Sequence, residues 1–249
     1  MRYSSRVLAA VSVFLPLTAC ARDARVAQLE RRVDSLAVTV TALVNARQRG
    51  AEAPALSESL TVSLAGAAVA GDARAPVVIV EFTDYQCPFC GRHFETTLPE
   101  IRSRYVNTGK VRYVVRDMPL TDIHRYALAA AKAARCAAEQ GPAHYWRYHD
   151  ALFTRQKEIA DSLFPRLARK AGLTLTEFNA CRASPLTTAL VERDASDGRR
   201  AGFNGTPGFV IGRAAGDSVH GVVIRGAYPF ALFQQAIDAA LAEPRLAVQ

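Results

Sequence analysis

The sequence predicts an α/β core split by an all-helical insert, with a coiled-coil helix ahead of it. Three observations predict this. The run "APVVIVEF" (75–82) is almost continuously apolar and β-branched, as a strand covered on both faces must be. A long Ala-rich, helical stretch separates it from two late strands, "GFVIG" (208–212) and "VVIRG" (222–226). Near the N-terminus Val26, Leu29, Val33, Leu36, Val40 and Leu43 step by 3, 4, 3, 4, 3, which is an a/d seam.

The chain opens with "MRYSSRVLAAVSVFLPLTAC". Arg2 and Arg6 flank the start of an apolar run, Val7 to Leu17, that is too short for a membrane-spanning helix. Residues 1–19 therefore read as an export signal. Leu17-Thr18-Ala19-Cys20 resembles the lipobox of bacterial lipoproteins, whose cysteine takes a diacylglycerol and becomes residue one. The resemblance implies a lipid anchor at Cys20 and, with Ala21 next, the outer membrane where the cell has one. Ordinary cleavage after Ala21 would instead discard Cys20. No later stretch is apolar enough to cross a membrane.

Residues 20–50 read as a membrane-proximal coiled coil. Val at a and Leu at d favour two strands, and Arg25 at g facing Glu30 at e of a partner supports a parallel homodimer. Three heptads are marginal alone, so a monomeric stalk and a trimer are the alternatives. Gly50 ends the helix, and 51–59, small and polar with Pro54, is a linker. Residues 60–249 form the folded domain, with the helical insert at about 118–203. Its elements run in order. "LTVSL" (60–64) is an edge strand and 75–82 the buried one. A helix runs from Pro88 to Arg104, and "KVRYVVR" (110–116) is a strand. Helices follow at 123–141, 145–154, 161–171, 176–183 and 186–200. After the two late strands, "YPFALFQQAIDAALA" (228–242) closes as a helix. The net charge is +8. An exported protein meets little nucleic acid, so the charge reads as a solvated basic face and nucleic acid is not a partner.

The chemistry sits in "CPFC", Cys87 to Cys90. Structural zinc takes four ligands, and neither Cys136, Cys181 nor any histidine stands at ligand spacing, so no metal is expected. Position favours redox chemistry. Cys87 falls at the start of a helix with Pro88 as its first residue, where the missing N–H costs nothing. Helix-end N–H groups favour a thiolate there. Cys87 is thus the expected exposed nucleophile and Cys90, one turn on, its covered partner. No bound cofactor is needed. Thr206-Pro207, just before a late strand, should lie beside this turn, its peptide bond cis or trans. Glu81 inside the apolar strand is costly unless it is functional or sits at a hydrated strand end. His93 reads as a surface residue; His124, His144 and His149, near Trp146, read as packing or capping residues.

Together "APVVIVEFTDYQCPFC", "GTPGFVIG" and "IRGAYPFALFQQAID" resemble the DsbA-type thiol–disulfide oxidoreductases of the thioredoxin superfamily, from roughly Leu60 to Ala242. The resemblance implies a thioredoxin fold with the insert between its halves and a cis Pro207, with substrate peptide pairing near Thr206. It also implies that Pro88 and Phe89 tune the potential and that Glu81 exchanges a proton with the inner cysteine. Related proteins often carry a disulfide in the insert, which here would join Cys136 to Cys181 in an oxidising compartment; two buried free thiols are the alternative. Gly208 departs from the family, which has a side chain there, and is expected to loosen the loop. The expected function is an oxidase of exported proteins on the periplasmic or extracytoplasmic side, reset by a membrane, DsbB-like redox partner. A dimeric isomerase or reductase is the alternative. A non-catalytic, lipid-anchored adaptor is a third, against which the intact Cys87 and Cys90 argue.

Overall fold

The computed structural model describes residues 56 and 58–243, with helical positions 26, 28, 29, 32, 33, 35–37, 39 and 40 in the N-terminal segment. The signal at 1–19, Cys20, Leu43 and six of the nine residues of the 51–59 linker lie outside the described residues. The chain divides into two units, 1–52 and 53–249. In the first, the described seam positions Val26, Leu29, Val33, Leu36 and Val40 are helical and 48–63% exposed.

The second unit is built on a six-stranded sheet in the order β1-β6-β5-β3-β4-β2. The strands are β1 (Ser59–Ser63), β2 (Ala68–Ala70), β3 (Val77–Thr83), β4 (Val111–Asp117), β5 (Gly208–Ala215) and β6 (Ser218–Arg225). Only β3 and β4 run parallel. All seven residues of β3 are buried. By the period of two, Val78, Val80 and Phe82 face one core, with Val114, Val210 and Phe203, while Val77 and Ile79 face the other. That second core holds Cys87, Cys90, Phe209 and Phe233 and runs on into the helices of the insert.

The helices are α1 (Pro88–Thr96), α2 (Leu98–Ile101), α3 (Ala127–Glu139), α4 (Pro142–Thr154), α5 (Phe164–Lys170), α6 (Leu175–Ala183), α7 (Pro185–Arg200) and α8 (Phe230–Ala242). Helices α3 to α7 fill the gap between β4 and β5, so the fold is a thioredoxin-like sheet with a helical insert. Cys136 of α3 is bonded to Cys181 of α6, their Cα atoms 5.7 Å apart. A buried charge cluster ties α7 and α3 to the sheet. Arg116 of β4, 1% exposed, donates to Asp194 (2.7 Å) and Asp197 (2.5 Å) of α7 and to the Ser63 carbonyl. Arg135 of α3 joins Asp194 to Asp117.

Four elements differ from the sequence reading. Strand β2 is a short Ala-Val-Ala edge with little β propensity, formed because β4 offers it a free ladder. The helix expected at Pro88–Arg104 breaks at Thr97 and restarts as α2, then widens into a π-helical turn at Arg102–Val106. Pro99 has no N–H to continue α1. The helix expected from Ile123 starts at Ala127, because the Leu120 and Tyr126 N–H groups donate to the Asp84 and Gln86 side chains. The late strands are longer than read, since Gly212 and Gly221 pair inside the ladder rather than ending it. A Cβ at Gly212 would meet the His220 carbonyl oxygen at 2.0 Å, so only glycine fits.

Removing Asp194 leaves one buried guanidinium group, Arg116, and one partly buried one, Arg135, short of a carboxylate. Asp194→Ala is expected to cost about 3 kcal/mol in urea unfolding; a loss within experimental error would show that the cluster does not hold the insert.

Candidate active site

Strand β3 delivers the chain to a turn, Asp84–Gln86, at its C-terminal end. Asp84 is buried and shapes this turn. Its Oδ1 accepts from the Gln86 N–H (2.7 Å), and its Oδ2 from the Leu120 N–H and from His124 Nδ1 (each 2.8 Å). The turn hands over to Cys87, which caps α1 in an extended conformation with Pro88 following. Gln156, from the short 3-10 turn Gln156–Glu158 after α4, reaches back and donates to the Tyr85 and Cys87 carbonyls, each at 2.9 Å. Gly91 makes room for it, since a Cβ there would lie 2.5 Å from the Gln156 amide oxygen.

Cys87 is not the exposed nucleophile expected from the sequence. It is 3% exposed, and Cys90 is fully buried. The loop before β5 folds over the pair, and Cys87 Sγ donates to the Thr206 carbonyl at 3.2 Å. The Thr206–Pro207 peptide is cis. The Thr206 hydroxyl is buried with no other partner and favours charge on both sulfurs. Gly208 does not loosen this loop. The Phe203 ring fills the place of its side chain, where a Cβ would come within 2.3 Å of Phe203 Cδ1. A cleft of about 240 Å³ opens beside the loop, lined by Phe203, Asn204, Thr206, Pro207 and Arg225 among others. Phe89 is half exposed under the Arg92 guanidinium, 5.1 Å from its ring centroid.

The two thiols differ in chemistry. A hydrogen bond from Cys90, aided by Thr206 and by the Cys90 and Phe89 N–H groups at the helix start, lowers Cys87 from 9.0 to about 6. Burial raises Cys90 well above the usual thiol range, and the neighbouring Cys87 and Glu81 charges add to it. Glu81 lies on the cysteine side of β3, 2% exposed, and is no hydrated strand end. Burial raises it from 4.5 to about 7, against a hydrogen bond from Tyr113. His93, read as a surface residue, is 1% exposed, because α1 turns that face onto Phe209 and Phe233. His149 is buried among rings, including Tyr85, Trp146 and Phe153, and its Nδ1 donates to the Asp150 carboxylate; His144 meets the Ala171 carbonyl.

The structure thus brings together Cys87, Cys90, Glu81, Pro88, Thr206 and Pro207, and places Cys136 and Cys181 apart from them. Sequence reasoning missed Tyr113, Asp84 and Gln156. "TDYQC" carries an Asx-turn signal for Asp84, and Gly91 hints at a close approach. Nothing local marks Gln156 or Tyr113.

A family profile described as thioredoxin matches residues 64–223. The chain is 35% identical over 178 residues to the Na(+)/H(+) antiporter NhaA 3 of Salinispora tropica, covering 72% of this chain but 25% of the antiporter. It is 28% identical over 183 residues to a Rickettsia conorii protein named as a protein-disulfide oxidoreductase, covering 71% of this chain and 61% of that one. It thus spans about a quarter of the antiporter and under two thirds of the Rickettsia protein. Among solved structures, α-DsbA1 of Wolbachia pipientis superposes with a TM-score of 0.62 at 23% identity, over 72% of this chain and 93% of that one. Among the described residues no helix is long and apolar enough to cross a membrane.

A carboxyl raised on folding stabilises fully below its unfolded value and loses that contribution as pH rises through its folded value. For Glu81 the window runs from 4.5 to about 7. Glu81→Gln, which never ionises, should therefore gain about 3 kcal/mol over the reduced parent above pH 7 and nothing below pH ~4.5. Urea unfolding at the two ends of the window checks this; a pH-independent difference would remove the buried charge from the account.

Proposed function

The chain belongs to the thioredoxin family, and from that premise we propose that it is a protein thiol–disulfide oxidoreductase that oxidises the thiols of exported proteins. The asymmetry of the two sulfurs carries the reading: a stabilised Cys87 thiolate against a buried, hard-to-ionise Cys90. A substrate thiolate attacks Cys87 of the Cys87–Cys90 disulfide. The S–S bond breaks, its electron pair goes to Cys90, and Glu81 supplies the proton. A second substrate thiolate then attacks the substrate sulfur of the mixed disulfide. The substrate disulfide forms, and Cys87 leaves as a thiolate, two electrons having passed to the protein. Leaving is easy because the anion is stabilised.

The same anion supports the oxidising direction. A thiol lowered on folding stabilises the reduced protein above its unfolded value, and this is lost as pH falls through the folded one, here from 9.0 to about 6. At pH 7 that is about 1.4 kcal/mol, or ~30 mV toward an oxidant. Substrate backbone lies along the cleft at Thr206 and Pro207, with the exposed Phe89 as an apolar contact. A membrane redox partner of DsbB-like type reoxidises the pair. The Leu17–Cys20 lipobox supports anchoring through Cys20 on the extracytoplasmic side of the envelope.

The apolar seam from Val26 to Val40, left exposed, favours a second reading in which a parallel dimer holds two active sites over one client, as an isomerase requires.

Three measurements test these readings. Equilibration with glutathione should place the Cys87–Cys90 couple above about −180 mV; a value near −270 mV would overturn the oxidase and leave a reductase. Cys90→Ala should raise the Cys87 thiolate titration above pH 6 by removing its largest support. For the dimer, the lipidated chain, verified by palmitate labelling that Cys20→Ala abolishes, is sedimented in detergent beside a soluble form with and without residues 21–50. Dimers only where 21–50 is present are expected; monomers throughout would remove the isomerase.

A further inference from the structure

We propose that Tyr113 and His93 are positioning residues for the exchange reaction, His93 holding the Tyr113 hydroxyl so that it always donates to Glu81. This rests on the oxidoreductase reading above. Tyr113 lies opposite Ile79 in the parallel pair β3–β4, so its side chain rises on the same face as Glu81. Its Oη is 2.5 Å from Glu81 Oε2 and 3.0 Å from His93 Nε2. All three side chains are buried, at 1–2% exposure.

Proton counting fixes the arrangement. A phenol has one proton. If Glu81 is a carboxylate, that proton lies between Tyr113 and Glu81, and Tyr113 Oη can only accept from His93. His93 must then carry its proton on Nε2. Its Nδ1 is left bare, and it is in fact buried without a partner, against Phe209 (ring centroids 4.5 Å apart) and Phe233 (5.1 Å). The opposite tautomer is worse twice over. It would bury an unpaired N–H against those rings and turn the phenol proton away from the carboxylate. Burial lowers His93 from 6.5 to about 3, so it stays a neutral donor at every working pH. The other groups facing Glu81 are Thr83 on β3, Arg102 of the π-helical turn, and Cys87 of the active-site turn. Cys90, Tyr85 and Tyr145 feel its charge in turn, and His149 acts on His93. Arg102 is committed to Asp150, with two bonds of 2.8 Å. Tyr113, at 2.5 Å, is therefore the main donor that favours the Glu81 carboxylate, with the Thr83 hydroxyl a smaller one.

The step this serves is reoxidation. With Cys87 in a mixed disulfide with the redox partner, Cys90 gives its proton to the Glu81 carboxylate. The Cys90 thiolate attacks Cys87 Sγ, the Cys87–Cys90 bond forms, and the partner's sulfur leaves with the electron pair. Without the Tyr113 donor Glu81 is more often protonated at neutral pH, and Cys90 loses its base.

The test follows the Glu81 carboxyl carbon by NMR in the reduced protein, assigned with Glu81→Gln, beside the pH profile of the resolution step. Tyr113→Phe should raise the Glu81 midpoint by about one pH unit and slow resolution at pH 7 up to about tenfold. His93→Leu should raise the midpoint less, His93→Gln, which keeps an N–H, should restore it, and His93→Leu should add nothing in the Tyr113→Phe background. Should Tyr113→Phe not fold, the His93→Leu and His93→Gln pair decides. A folded Tyr113→Phe protein with an unmoved Glu81 midpoint, or equal midpoints in the two His93 variants, overturns the proposal. A parent protein that exchanges no disulfides while its Glu81 midpoint responds as expected would overturn the oxidoreductase reading and the catalytic half of the proposal, leaving the hydrogen-bond chain intact.

Discussion

The site depends on a carboxyl group placed where a sheet can least tolerate one. Glu81 is the fifth residue of a seven-residue strand with no exposed position. Desolvation there works against charge, and its hydrogen-bond donors answer that cost while the Cys87 charge adds to it. The Tyr113 hydroxyl donates to it, the His93 ring fixes that hydroxyl, and Arg102 stands at longer range. The carboxyl is left near neutrality rather than permanently charged or permanently neutral. A group so poised can both give and take a proton, which a surface glutamate cannot do at neutral pH.

The insert takes part in the site as well as covering it. Gln156 crosses from the insert to the carbonyls that flank the nucleophile, and Asp84 ties the same turn to the segment leading into α3. Behind them the Arg116–Asp194–Arg135 cluster and the Cys136–Cys181 bond fix the helices that carry these contacts. A chain-entropy estimate for a bond closing a loop of 45 residues is about 4 kcal/mol. The turn that presents Cys87 is thus braced from two sides, so its N–H groups keep facing the sulfur when the charge on it changes.

Much of this was legible in the sequence because it rests on local signals. The β-branched run 75–82, Pro88 after Cys87 and the a/d spacing each report a backbone preference or a period. The misreadings share another origin. Exposure of Cys87 and of His93 is decided by elements more than a hundred residues away, the Thr206 loop and the β5–α8 layer. The break at Thr97 is local, since Pro99 marks it. Strand β2 has little propensity of its own and exists through its partner. Gly208 looked like a gap in the loop until Phe203 was found filling it.

The geometry also separates the paths of electrons and protons. Cys87 keeps 3% of its surface and bonds the carbonyl of Thr206, a residue that lines the cleft. Cys90 has no exposed surface, so a substrate sulfur cannot reach it and bulk water cannot readily protonate it. A thiolate leaving at Cys90 must therefore take its proton from a protein group, and a thiol attacking from Cys90 must lose it to one. The titratable carboxyl on that side of the sheet whose charge acts on Cys90 is Glu81. In the proposed reaction, substrate exchange is thus confined to one sulfur and proton exchange to the other. The low affinity of Cys87 for protons follows first from the hydrogen bond of Cys90, and the high affinity of Cys90 first from its burial.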